Sequence, residues 1–116
     1  MADVFYLPRA AEAVIPADKL LDYALNPEHP RGQHKARMFE SALGIGRSDW
    51  LYLHDQLLER VIGAPVRGTR VTPFGVTYEI VLSVDGLNGA TQPVVTIWTV
   101  EAEDPPRLVS TWVDIP

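Results

Sequence analysis

Two histidines and three cations crowd into one short stretch of this chain: His29, Arg31, His34, Lys35 and Arg37. Pro27 and Pro30 bracket the first histidine, Gly32 follows, and an apolar helical pattern then begins through Ala36, Phe39, Ala42 and Leu43. A rigid turn thus delivers titratable and cationic groups to the first turn of a helix. Positive charge there opposes the helix macrodipole, whose positive end favours acids. The free N–H groups of a helix start also attract anions. A bound phosphate or carboxylate would offset the conflict. The same residues also suit a solvated helix face on which Glu40 pairs loosely with Lys35 or Arg37. Taken alone, they leave both readings open.

The rest of the composition narrows the chemistry. A chain of 116 residues is one ordinary domain with room for a single core, and 47% hydrophobic with 22% charged residues is a globular balance. No apolar run approaches the roughly 20 residues that cross a bilayer, so no membrane partner is expected. Asp3, Pro8, Arg9 and Glu12 interrupt the N-terminal stretch and spoil a secretory signal. There is no cysteine, hence no disulfide, zinc ribbon or thiol nucleophile. These features fit a cytoplasmic, bacterial-type domain. A net charge of −5 argues against broad coating of nucleic acid, whose binders are usually basic. It leaves room for a site that gathers a few cations around one phosphate. Carboxylates are scattered without His-x-x-x-His or paired-acid spacing, so no metal is expected. The chain also lacks a phosphate-cradling glycine loop and a G-x-S-x-G elbow, so no cofactor and no such hydrolase are expected.

The elements that position the cluster can be read in order. Residues 1–16 form an N-terminal extension or a short edge strand at Ala13-Val14-Ile15. A helical part spans 17–63. Pro16-Ala17-Asp18 starts a first helix with Leu20, Tyr23 and Ala24 on one face, stopped at Asn26-Pro27. The second runs from about Gly32 to Leu43 with Gly44 as its C-terminal cap. Ser48 is a good N-cap for a third, with Trp50, Leu53, Leu57, Leu58 and Val61 as its stripe. His54 lies mid-helix and reads as structural. An antiparallel meander occupies 64–116: a weak strand over 66–71, then strands over 76–84, 94–100 and 107–115. In the second of these, Val76, Tyr78, Ile80, Leu82 and Val84 alternate with Thr77, Glu79 and Ser83. In the last, Leu108, Ser110 and Trp112 alternate with Val109, Thr111 and Val113. The expected fold is a single α+β domain, about three helices packed on one face of a sheet of about four strands. Both faces of the middle strands carry apolar residues. Substrate or a partner chain, a homodimer included, would cover the second.

The pattern Lys19-Leu20…Tyr23-Ala24-Leu25, His29-Pro30-Arg31-Gly32, Lys35-Ala36-Arg37-Met38-Phe39 and Leu43-Gly44-Ile45 resembles a bacterial domain-of-unknown-function family. Pro73-Phe74-Gly75…Tyr78-Glu79, the glycine hairpin, Thr96-Ile97-Trp98 and Pro106-Arg107-Leu108-Val109-Ser110 extend the resemblance over roughly residues 17–112. Where that family ends in Leu-Val-Thr and an aromatic-proline pair, this chain has Ser110-Thr111-Trp112-Val113. Family members stand beside short antitoxin-like partners or at the tips of larger toxins, which implies the toxin of a toxin–antitoxin pair. The element order is also similar to the fold of barnase, EndoU, the tRNase colicins and RelE-type toxins, which implies RNA cleavage.

Metal-free RNA cleavage needs a base for the 2′-OH proton, an acid for the leaving 5′-oxygen, and donors or cations on the charged phosphorane. On that reading His29 is the leading acid or base, with His34 the second candidate. Lys35 neutralises the scissile phosphate. Arg31 and Arg37 are substrate-binding candidates, although Arg37 lies about 160° further round an ideal helix than Lys35. Ser110 and Arg107 would reach the phosphate from the sheet. Thr96 and Trp98 would contact substrate, the indole as a stacking platform for a base. The implied partners are RNA and a cognate antitoxin. The competing reading is a non-catalytic module that holds a partner's acidic segment in the same cationic cleft.

Overall fold

The computed structural model describes residues 5–115. Its helical elements are a 3-10 turn at Ala10–Glu12, a π-type turn at Lys19–Ala24, α1 at Gln33–Leu43 and α2 at Trp50–Val61, the last entered through a 3-10 turn at Arg47–Asp49. Strands β1 (Gly68–Thr72), β2 (Gly75–Asp85), β3 (Thr91–Val100) and β4 (Arg107–Val113) follow as an antiparallel meander in the order β1-β2-β3-β4. The α+β class, with helices first and sheet second, is as expected from the sequence.

The helices cover one face of the sheet. Leu20, Leu25, Phe39, Leu43, Leu53, Leu57 and Val61 meet Ile80, Leu82, Val84, Val94, Trp98, Leu108 and Val113 in one buried cluster. In β2 the core face follows the period of two read from the sequence. In β4 it does not. The register slips between Ile97 and Trp98, so that Ile97 pairs with Ser110 while Trp98 pairs with Leu108. The bulge at Val109 puts Leu108 on the core face with Thr111 and Val113, and leaves Ser110 and Trp112 together on the other. Strict alternation had grouped Leu108 with Ser110 and Trp112.

Local chemistry sets the other boundaries. The first helix is a wider π-type helix rather than a regular α-helix, closed by Leu25 N–H donating to the Leu20 carbonyl five residues back at 2.9 Å. Gly44 ends α1 in the left-handed region at φ 66°, and Ile45 N–H returns to the Phe39 carbonyl. The β2–β3 loop seals the same helix end, since Leu87 N–H donates to the Leu43 carbonyl at 2.8 Å. Ser48 does not cap α2. Asp49 takes the Gly46 N–H at 2.9 Å and fixes the preceding turn instead. Strand β3 begins earlier than expected because Thr91, Gln92 and Pro93 continue the pairing with Asp85, Val84 and Ser83 of β2, and the Pro93 carbonyl accepts from Asp114 N–H at 2.8 Å. Val14 bridges to the start of β4 through Pro106 and Leu108.

Candidate functional site

The 29–37 cluster is built by two contacts. Nδ1 of His29 accepts hydrogen bonds from the Arg31 and Gly32 N–H groups at 3.0 and 2.9 Å, so the imidazole caps its own turn ahead of α1. Gly32 is closely docked, because a Cβ there would stand 2.3 Å from the Tyr23 carbonyl oxygen. The turn is thereby pinned to the end of the π-type turn. With Nδ1 occupied by two donors, the neutral imidazole carries its proton on Nε2. The ring meets Tyr23 edge-on, with centroids 4.7 Å apart.

Lys35 projects from α1 toward β4. Its ammonium donates to Ser110 Oγ at 3.0 Å and to Tyr23 Oη at 3.4 Å, and lies 4.7 Å from the Tyr23 ring centroid and 5.1 Å from that of Trp112. Hydroxyls and aromatic faces therefore hold a half-buried cation. No carboxylate lies within ion-pair distance of it among the described residues. The loose pairing with Glu40 that the sequence allowed is not formed. A cation partly removed from water without a counter-charge is electrostatically suited to an anion.

Two hollows lie against β4, on either side of the Lys35–Ser110 hydrogen bond. One, of about 420 Å³, is lined by Asp18, Lys19, Asp22, Tyr23, His29, Val109 and Ser110. The other, of about 350 Å³, is lined by His34, Lys35, Met38, Trp112 and Val113. His29, His34, Lys35 and Ser110 thus lie along a single edge of the molecule, with Tyr23 bridging His29 to Lys35.

The remaining candidates lie elsewhere. Trp98 and Thr96 are 0% exposed. The indole Nε1–H donates to Thr96 Oγ1, which in turn donates to the Ile80 carbonyl. This closed buried chain leaves no face for a base, and the platform expected at Trp98 is corrected to a core residue. Arg37 bonds to Gln33 on the exposed side of α1. Arg107 faces Glu101 at 3.9 Å. Arg31 is exposed in the turn. Sequence reasoning had placed Tyr23 only in an apolar stripe and Trp112 only on a strand face. The usable signals were a hydroxyl where a plain hydrocarbon would fill the stripe, and the two-residue spacing from Ser110 to Trp112.

Among the described residues no three His, Asp or Glu side chains lie close enough to share a metal ion. No helix among them is long and apolar enough to cross a membrane.

A family described as a domain of unknown function, DUF6883, matches residues 6–114. The chain belongs to the DUF6883 family. This DUF6883 domain also shares its fold with a chain of the contact-dependent growth inhibition toxin–immunity protein complex from Klebsiella pneumoniae 342. The TM-score is 0.69 over 93% of this chain and 98% of that one, at 14% identity. No curated protein matches the DUF6883 sequence.

Proposed function

We propose that this DUF6883 domain is the toxin of a toxin–antitoxin or toxin–immunity pair and acts as a metal-independent endoribonuclease. The observation that carries the reading is the Lys35 ammonium, half-buried, without a carboxylate partner among the described residues, and bonded to Ser110 and to Tyr23, whose ring also meets that of His29. The likeness in fold to a chain of a toxin–immunity complex supports the toxin role and a cognate protein partner.

In this reading the scissile phosphate replaces the missing counter-charge on Lys35. His34 removes the 2′-OH proton, the 2′-oxygen attacks phosphorus, and the P–O5′ bond breaks. Fixed as a donor by its turn, His29 Nε2–H bonds to a non-bridging oxygen as charge develops there. Tyr23 protonates the departing 5′-oxygen, and the phenolate so formed faces the Lys35 ammonium. Ser110 holds Lys35 in place. The products are a 2′,3′-cyclic phosphate and a 5′-hydroxyl.

Purified protein incubated with total RNA in EDTA should give fragments ending in 2′,3′-cyclic phosphate. Intact RNA would sink the reading and favour a non-catalytic module that holds a partner's acidic segment at Lys35.

A further inference from the structure

The apolar hollow beside Lys35 lends His34 and Lys35 to the chemistry above, while Met38, Trp112 and Val113 take no part in it. Its walls are His34, Met38, Trp112 and Val113. The Trp112 indole is half-buried, with part of its surface open to solvent. Ser110 and Trp112 lie two residues apart in β4, on the same side of the strand and about 7 Å apart along it. The group that would hold a phosphate and the ring that lines the hollow are thus neighbours, with the Lys35 ammonium touching both.

The geometry points to a nucleobase subsite: the base adjoining the scissile phosphate of single-stranded RNA enters this hollow and stacks against Trp112. The inference rests on the reading of Lys35 as the phosphate site. Three features select this occupant. A flat indole beside a thioether and an imidazole suits a planar, polarizable ring. The ammonium at the rim supplies the charge a phosphate requires. The opposite hollow balances Asp18 and Asp22 against Lys19 and the Arg47 that pairs with Asp22, so it offers a further phosphate no excess of positive charge, whereas the rim beside Trp112 holds Lys35, unpaired among the described residues. The stacking role that the sequence suggested for Trp98 falls instead to Trp112, which solvent reaches.

The test uses a 2′-O-methyl oligonucleotide, which the mechanism cannot cut, and versions made abasic at each position in turn. Wild type should bind the intact oligonucleotide, and Trp112→Ala should bind it roughly 5- to 150-fold more weakly, the range for one base stacked on an aromatic ring. Trp112→Phe should recover most of that loss, which separates stacking from a folding defect. One abasic version should bind wild type as weakly as Trp112→Ala binds the intact strand, and the two changes together should cost no more than either alone. Unchanged binding by Trp112→Ala would overturn the inference. So would equal losses on intact and every abasic strand, or no binding by wild type. RNA binding that ignores Trp112 while binding of a cognate protein depends on it would assign the hollow to that partner and overturn the inference too. Wild type that binds with this pattern but leaves 2′-hydroxyl RNA uncut would sink the catalytic reading alone.

Discussion

On the proposed reading His29 does two jobs with two nitrogens, and substitution can separate them. Nδ1 closes the turn and Nε2 is left for a ligand. Asparagine can replace the first function, since its side-chain oxygen accepts backbone N–H groups, but it offers no donor at the imidazole's reach. His29→Ala should therefore lose about 1 kcal/mol of stability, as for a lost helix cap, together with RNA cleavage. His29→Asn should keep most of the stability and still lose cleavage. Denaturant melts alongside a cleavage assay on both variants check this, and full activity in His29→Asn would reduce the histidine to a cap. Lys35→Met keeps the packing against Tyr23 and Trp112 but removes the charge. Cleavage should fall about 10²–10³-fold, the usual cost of losing one donor at developing charge, with little change in melting temperature. If induced expression of Lys35→Met arrests growth as wild type does, the phosphate is bound elsewhere.

At the scale of elements, the site depends on how α1 is seated against the π-type turn and β4. Gly32 is the tightest point of that seat, since a methyl group there would collide with the Tyr23 carbonyl. Gly32→Ala should destabilise the fold by about 1–3 kcal/mol through overpacking, and shift Tyr23 away from Lys35. A thermal melt and tyrosine-selective NMR would show both. The far end of the helical layer is tied to the sheet by Arg60 and Asp85, 2.6 Å apart. Hydrogen bonds from Arg60 and Thr91 hold the Asp85 carboxyl below its ordinary pKa. The unfolded chain then binds more protons at acid pH, so this contribution to stability is fully present above the ordinary aspartate range, near 3.9, and fades as pH falls through the lower folded value. The melting-temperature gap between wild type and Asp85→Asn should close on acidification to below about pH 4. Much of this layer was legible beforehand, because apolar period and the glycine cap at Gly44 are local signals. The bulge at Val109 was not, since it arises from pairing with β3 and leaves no mark in the β4 residues themselves. Trp98 and Trp112 look alike in sequence, each flanked by alternating strand residues. Only the helices decide which face is dry, and they bury Trp98 and leave Trp112 half-open.

Across the whole molecule the charge pattern sets how RNA would be held. The chain carries −5 overall, yet the ammonium between the two hollows has no acidic partner among the described residues. Of the other nine cations, Arg9, Arg47, Arg60, Arg67 and Arg107 face carboxylates and Arg37 bonds to Gln33, while Lys19, Arg31 and Arg70 make no ion pair among the described residues. On the proposed reading, a surface with so few unpaired cations and a net negative charge would hold one or two phosphates and attract the rest of the strand little. Each phosphate neutralised on a single strand contributes a slope of about −0.7 to the dependence of log affinity on log salt. An uncleavable oligonucleotide should therefore show a slope between roughly −0.7 and −1.5, against about −4 to −7 for a protein that makes six to ten phosphate contacts. Lys35→Met should bring the remaining slope close to zero, whereas Arg37→Met, on the exposed side of α1, should leave it unchanged. Fluorescence anisotropy across a salt series measures all three. A steep slope that survives loss of Lys35 would mean that RNA lies along a surface other than the β4 edge, and that the chemistry assigned to Tyr23, His29 and Ser110 belongs somewhere else.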